Sequence, residues 1–456
     1  MRLSTLLGPD LRQTLAQEPE ALSEALEEFH EEDIAEIAED LPIEDVVALM
    51  RALPDDFAAG VLERIPDELR NSILERLKPQ EAATILVEMQ PDDRADVVQT
   101  LDVELRDSIL LLIDKLDPEV AEETRELAAY PEDTAGGIMT TAFVGLQPET
   151  KVWQAIEEVR RLAREEDIEI VYYLYVLAYG EKLVGVVSLR DLILGEPSAT
   201  LADVMHENVV RVRDTDLQEE VARTIAKYDL QAVPVIDEQG CMLGVVTVDD
   251  VVDVVIEEAT EDAQRMGAVT PIENTYFGAS FFAYWKSRVT WLVVLFLGGF
   301  LTANVMQGFQ DDLSRALTLA VFIPLIISTG GNAGSQAATL VIRALAVDEV
   351  TPGDWVKVAT REAGVGICLG LVVGALGFGR AFFAADAGEG VPLAIVVSVS
   401  VLAVVTVGSL VGALLPLLIQ RAGLDPAVSS TPFIASLSDV VGLLIYLSIA
   451  RALLHL

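Results

Sequence analysis

The chain changes character part-way along. Its first half alternates short apolar stretches with acidic positions, and its second half is a series of long apolar runs. Five of these runs approach the roughly 20 residues that a bilayer crossing requires. They lie at about 289–310, 316–342, 363–379, 391–420 and 431–450. Ahead of them, residues 20–120 carry an internal repeat. Leu41-Pro42-Ile43-Glu44-Asp45, Leu53-Pro54-Asp55-Asp56, Ile65-Pro66-Asp67-Glu68, Leu77-Lys78-Pro79-Gln80-Glu81 and Met89-Gln90-Pro91-Asp92-Asp93 place prolines at steps of 12, 12, 13 and 12 residues. Proline suits a helix start, where its missing N–H has no partner to lose, and acids in the first turn complement the helix dipole. Each unit therefore predicts one short amphipathic helix and a turn, stacked into a superhelix. A helical bundle with regular proline caps fits the same spacing.

A second, longer repeat occupies residues 138–254. Gly185-Val186-Val187-Ser188-Leu189-Arg190-Asp191-Leu192 returns 59 residues later as Gly244-Val245-Val246-Thr247-Val248-Asp249-Asp250-Val251. Each copy follows a β-rich run, Val171–Val176 in one case and Ala232–Ile236 in the other. Each run leads through a glycine turn into a strand and then a helix. This Gly-x-x-Ser/Thr-x-x-Asp pattern, present twice, resembles a tandem pair of CBS domains. The expected fold is multidomain, α plus α/β plus an all-α membrane part. It divides into a helical superhelix over 1–130, the CBS pair over 131–254, a connecting helix over 255–284 and five transmembrane helices over 285–456.

Charge sharpens that division. The chain has 73 acids and 31 Lys/Arg, a net of −42. Residues 285–456 hold ten acids and nine bases, so nearly all of the excess lies in residues 1–284. Such acidity excludes nucleic acid, whose phosphates need Lys/Arg, and favours cations as partners. Adaptation to high salt is a bland contributor to the same composition. The two cysteines, Cys241 and Cys368, give no disulfide framework and point to a reducing compartment. No apolar run near the N-terminus suits a signal peptide, so the acidic half is expected in the cytosol. With that end inside, Lys286, Arg288, Arg343, Lys357, Arg361 and Arg421 flank the spans on the cytosolic side, against Arg315, Arg380 and Arg451 outside. This is the positive-inside sense for a multi-pass protein of the cell membrane with an external C-terminus.

Two features of the apolar half carry chemistry. Asp439 lies near the middle of the fifth run, where a charged side chain costs about 2.5–3.5 kcal/mol on insertion scales and normally faces a bundle interior or a watery path. It reads as a cation ligand at a pore, or else as a protonated acid bonded to a neighbouring helix. The second run is interrupted by Pro324 and by Ser328-Thr329-Gly330-Gly331-Asn332-Ala333-Gly334-Ser335-Gln336. This predicts a loosened helix whose carbonyls, with Asn332 and Gln336, offer neutral oxygen ligands. Close helix packing through the small residues is the alternative.

Gly330-Gly331-Asn332-Ala333-Gly334-Ser335-Gln336, Arg343-Ala344-Leu345, Asp425-Pro426-Ala427 and Asp439, together with the domain order, resemble the MgtE family of magnesium channels. The resemblance implies a membrane-embedded homodimer and not an enzyme. It implies that Asp439 and the Ala435 carbonyl hold hydrated Mg²⁺ in a pore lined also by Gly330, Gly331, Asn332 and Gln336. No role passes to Thr431, where the family often has Asn. Cytosolic Mg²⁺ is further implied to hold the channel shut by bridging Glu219, the Ala226 carbonyl, Asp229, Asp250, Asp253, Glu261 and Asp262, with Asp93 and Asp96 as weaker matches. In CBS pairs the Thr247/Asp250 arrangement, matched by Ser188/Asp191, can also hold an adenosine ribose, which makes ATP a candidate second ligand. A carrier of Co²⁺ or Mn²⁺ and a membrane-anchored CBS nucleotide sensor are the rival readings.

Overall fold

The computed structural model describes residues 26, 29–165, 172–272, 276, 278–347, 349–384 and 390–455. The first 25 residues of the chain, where the expected superhelix begins, and Val171 at the head of the first β-rich run, lie outside the described residues. The chain gathers into two compact units that divide between Glu257 and Glu258.

The 12-residue repeat becomes a series of short helices. Ile43–Ala52, Asp55–Glu63 and Asp67–Leu74 each begin one residue after a proline, and Pro79–Val87 and Pro91–Thr100 begin on one. Helices of eight to ten residues cannot bury an apolar face alone. Here each packs on the next but one: Glu31–Glu39 on Asp55–Glu63, that on Pro79–Val87, and that on Val103–Leu116. The alternate helices form a second stack ending at Pro118–Leu127. Two sequence repeats therefore make one structural turn. Fully buried Ile34, Leu49, Leu62, Ile73, Leu86 and Ile109 run through the core between the stacks.

The longer repeat gives two three-stranded sheets of one topology. β1 (Val144–Leu146) runs parallel to β2 (Tyr173–Ala178), which is antiparallel to β3 (Lys182–Ser188). β4 (Val212–Arg213), β5 (Ala232–Ile236) and β6 (Met242–Thr247) repeat the order. Even the bulges correspond, at Val176/Leu177 and Val235/Ile236, so Gly185 and Gly244 occupy matching places. The two halves are laced together. Thr140, which precedes β1, exchanges backbone hydrogen bonds with Val245 of β6, and His206, which precedes β4, does so with Val186 of β3.

The second unit contains five helices long and apolar enough to cross a membrane. They are Phe281–Gly308, Leu317–Ala346, Trp355–Ala384, Gly390–Arg421 and Thr431–Leu454. The first and third begin eight residues earlier than hydrophobicity alone places them. Ser280 caps the first, its hydroxyl accepting from the Ala283 N–H, and draws the interfacial pair Phe282 and Trp285 into the helix. The connecting helix is shorter than expected. It runs Val248–Met266 and stops where Ala268 takes a left-handed φ of 58°. Gln264 then clasps Ile272, accepting its N–H at 2.8 Å and donating to its carbonyl at 3.3 Å.

The expectation of a loosened second span is corrected. Leu317–Ala346 is one continuous helix through Pro324 and the Gly-Gly-Asn segment. Its glycines serve close approach. A Cβ on Gly334 would stand 3.0 Å from the Gly408 carbonyl oxygen, and one on Gly408 would stand 2.6 Å from that of Gly330. The other side of the fourth span is packed in the same way. Gly366, Gly370 and Gly374, one turn apart, meet Thr406, Leu402 and Ser398. Lipid gives helices no hydrophobic reason to associate, so backbone-to-backbone packing of small residues must hold them. Gly370→Leu tests this. The new side chain meets Leu402 backbone atoms within 2.9–3.0 Å, and overpacking of this kind costs about 1–3 kcal/mol. We expect a lower unfolding temperature for the variant in detergent than for Gly379→Leu, whose Cβ meets nothing.

Candidate ion path and regulatory acids

The second and fifth spans line an open cavity of about 410 Å³, formed by Ile327, Ser328, Gly331, Asn332, Ser335, Gln336, Thr431, Pro432, Ala435 and Asp439. The residues that position it are small. Gly331 lies against Ala435, and a Cβ there would be 3.5 Å from Ala435 Cα and 3.8 Å from Asp439 Oδ1. Ser335 donates to the Thr431 carbonyl at 3.4 Å. Farther along, the buried Tyr446 hydroxyl donates to the Leu319 carbonyl at 2.9 Å and fixes the pairing of the same two helices. Among the described residues, no group hydrogen-bonds to the Asp439 carboxylate or pairs with it. Of the sequence-derived lining candidates, Gly331, Asn332, Gln336, Ala435 and Asp439 meet here. Gly330 instead faces Val404 of the fourth span.

The first unit holds a second concentration of carboxylates. Asp250, far along the sequence, comes together with Asp93 and Asp96 around Asp92. Asp92 is 8% exposed, accepts from the Thr140 hydroxyl and leaves its Oδ1 without a partner. Burial raises its pKa, and the neighbouring Asp249 adds to the shift. Asp93 is pushed up to about 9 by burial and by the charges of Asp92, Glu63 and Asp250. Asp250 is pushed up to about 7 by burial and Asp92, although the Thr247 hydroxyl donates to it. The more open Asp96 moves the same way, through burial and Asp92, with Arg70 opposing. Among the described residues, no three His, Cys, Asp or Glu side chains form a ready-made metal shell. The cluster suits a cation that keeps much of its water, as Mg²⁺ does.

The remaining candidates are dispersed. Glu219 is exposed and pairs with Arg223 at 2.9 Å. Ala226 is exposed near the end of the same helix, which Asp229 closes with a φ of 53°. Asp253 is exposed on the connecting helix. In the second unit Arg265 pairs with both Glu261 and Asp425, while burial and Asp425 raise the pKa of Asp262. Ser188 and Thr247 each cap a helix through the acid three residues on. The Ser188 hydroxyl donates to Asp191 at 2.6 Å and accepts its N–H.

Three family models match the chain: "MgtE intracellular N domain" over residues 29–133, "CBS domain" over 135–195 and 201–257, and "Divalent cation transporter" over 323–449. The magnesium transporter MgtE of Thermus thermophilus is 46% identical over 346 residues, 75% of each chain. The chain belongs to the MgtE family. The MgtE of Enterococcus faecalis is 38% identical over 73% of this chain and 72% of its own. Among solved structures, the cytosolic domain of the Mg²⁺ channel MgtE in complex with ATP is similar over 55% of this chain and 99% of its own. It has 39% identity and a TM-score of 0.51.

As an MgtE protein the chain is a multi-pass membrane transporter with a CBS pair, and not an enzyme. Sequence reasoning missed Asp92, the most buried acid of the cluster. Its signal was present, since it directly follows a repeat proline, but every repeat shows acids there and nothing marked this one as buried. The raised pKa values mean that the folded chain keeps protons the unfolded chain has lost. Stability from this source is complete below the ordinary Asp range and falls as pH rises through about 7 for Asp250 and about 9 for Asp93. Metal-free fragment 1–257 should therefore melt at progressively lower temperature across that window. Mg²⁺ should remove most of the loss, whereas Na⁺ at equal ionic strength should not.

Proposed function

We propose that this protein is a homodimeric Mg²⁺ channel, driven by the electrochemical gradient and closed by cytosolic Mg²⁺. The observation that carries the reading is the Asp439 carboxylate, unpaired inside a cavity of small and neutral residues between two membrane spans. A paired or hydrogen-bonded acid would have been structural. An acid facing a cavity without a partner is poised for a mobile cation. Ala435, one turn before Asp439, lines the same cavity, and its backbone carbonyl is the second ligand in this reading. Two chains would supply two such carboxylates, matching a divalent ion. The membrane potential contributes about 2.3 kcal/mol per charge per 100 mV, so no energy-coupling reaction is needed.

Closure rests on the acidic cluster. Asp92, Asp93 and Asp250 repel while ionised and close together, and a divalent cation among them converts that repulsion into attraction. A ligand that binds the compact state better shifts the population toward it. The solved relative with ATP and the Thr247/Asp250 cap support the CBS pair as a nucleotide site as well, in which a ribose would exchange for the cap's own hydrogen bond. The orientation proposed is N-terminus inside and C-terminus outside.

Uptake into proteoliposomes tests the pore. Asp439→Ala and Asp439→Asn should reduce Mg²⁺ entry to the leak of empty vesicles while the dimer stays monodisperse. Normal entry in either would reject the reading. For gating, Asp250→Asn with Asp253→Asn should leave flux high when internal Mg²⁺ is raised to a level that closes the parent channel. A double variant still closed by Mg²⁺ would show that these two acids take no part in closure.

A further inference from the structure

The ends of the membrane helices that lie away from the connecting helix are tied together at one point. The first span stops at Phe309, and a short helix, Gln310–Arg315, leads back toward the second. Asp312 on that short helix is 6% exposed. Its Oδ2 stands 3.4 Å from Nε of Arg451, in the last turn of the fifth span. The Arg451 guanidinium also lies over the Phe309 ring, 5.8 Å from its centre. Phe309, Leu313 and Ala316 pack against the apolar core that the second, fourth and fifth spans share. Among the described residues of the first span, only Ser287, near its start, is buried. Its far end is therefore held to the bundle mainly through this junction.

An ionised acid withdrawn from water needs its partner. Removing one member of a buried pair strands a charge, whereas neutralising both members is often tolerated. A base in the last turn also suits the helix dipole, but that role would need neither Asp312 nor Phe309. Between Arg451 and Asp439 the fifth span is pinned by the Tyr446 hydroxyl, which donates to the Leu319 carbonyl of the second span. At 1.5 Å per residue, Arg451 lies about 7.5 Å beyond that pin and Asp439 about 10.5 Å before it. A stiff helix rocking at the pin would carry Asp439 somewhat farther than the outer end moves. We propose that the Asp312–Arg451 pair, with the Phe309 ring against the guanidinium, is a clamp that positions Asp439 through the fifth span. The inference rests on the pore reading of Asp439 and adds to it two positioning residues remote from the cavity.

The test uses the full chain in proteoliposomes, with uptake measured against external Mg²⁺ concentration and melting temperature measured in detergent. A purely structural pair would change how much protein is active, whereas a positioning pair changes the Mg²⁺ concentration that half-saturates uptake. Arg451→Gln, which strands Asp312, should melt at a lower temperature than the parent. Asp312→Asn combined with Arg451→Gln should regain most of that loss. Its half-saturating Mg²⁺ concentration should nevertheless stay raised roughly threefold to tenfold, the range expected for a lost coupling contact. Arg451→Lys keeps the charge and should half-saturate closer to the parent than Arg451→Gln does. Parent half-saturation in the double variant would overturn the clamp. So would an Arg451→Lys variant as impaired as Arg451→Gln, or a double variant that melts as low as Arg451→Gln, since the pair would then carry packing and not position. Asp439→Asn run in parallel separates the two ideas. Normal uptake there removes the pore reading and the clamp with it. Lost uptake there, with parent half-saturation in the double variant, keeps the pore and rejects the clamp.

Discussion

A carboxylate drawn partly or wholly out of water is an unstable arrangement unless a proton or a cation joins it, and this protein contains that arrangement twice. In the membrane unit it is Asp439; in the acidic unit it is the group around Asp92. Removing an ionised acid from water costs far more than a neighbouring hydroxyl returns. The acid must hold a proton, find a counter-charge or lose its packing. Each outcome depends on something the solvent supplies, either protons or mobile cations. On the reading proposed above, the same chemistry makes one site a passage and the other a sensor. The difference lies in what surrounds the acid: one cavity wall is neutral, and the other cluster is ringed by further acids.

The fourth span makes the membrane site possible. It contributes no residue to the cavity lining, yet it holds the second span through Gly330, Gly334, Gly408 and Gly412, and the third through Gly366, Gly370 and Gly374. With the second span seated at backbone distance, the fifth can approach it at Gly331 and leave room for an ion alongside. A bulkier fourth span would displace both cavity walls. The short list of lining residues therefore understates how much sequence specifies the site.

Much of this was legible in the chain. Regular prolines with acids after them gave the short helices, and the Gly-x-x-Ser/Thr-x-x-Asp repeat gave two matching sheets. Long apolar runs gave five spans, and one Asp in a run of apolar residues marked the cavity. Other features were not legible. A Gly-Gly-Asn segment carries the same local signal whether it loosens a helix or packs it tightly. Only the neighbouring span decides, and here Gly408 and Val404 decide for packing. Asp92 could not be told from the first-turn acids of the other repeats, because the residues that meet it in the fold, Thr140 and Asp250, are distant in sequence. The end of the connecting helix was set by a single left-handed residue, Ala268, at a position where alanine gives no warning.

The reciprocal strand exchange between the CBS halves, Thr140 with Val245 and Val186 with His206, has a mechanical meaning. Two domains joined by one linker can hinge about it. Two domains each stitched to the segment that enters the other cannot hinge without breaking both seams. The pair therefore behaves as a single stiff body, able to tilt or shift but not to fold along its middle. A ligand bound in either half would therefore act on the pair as a unit, whose last strand runs on into the helix Val248–Met266.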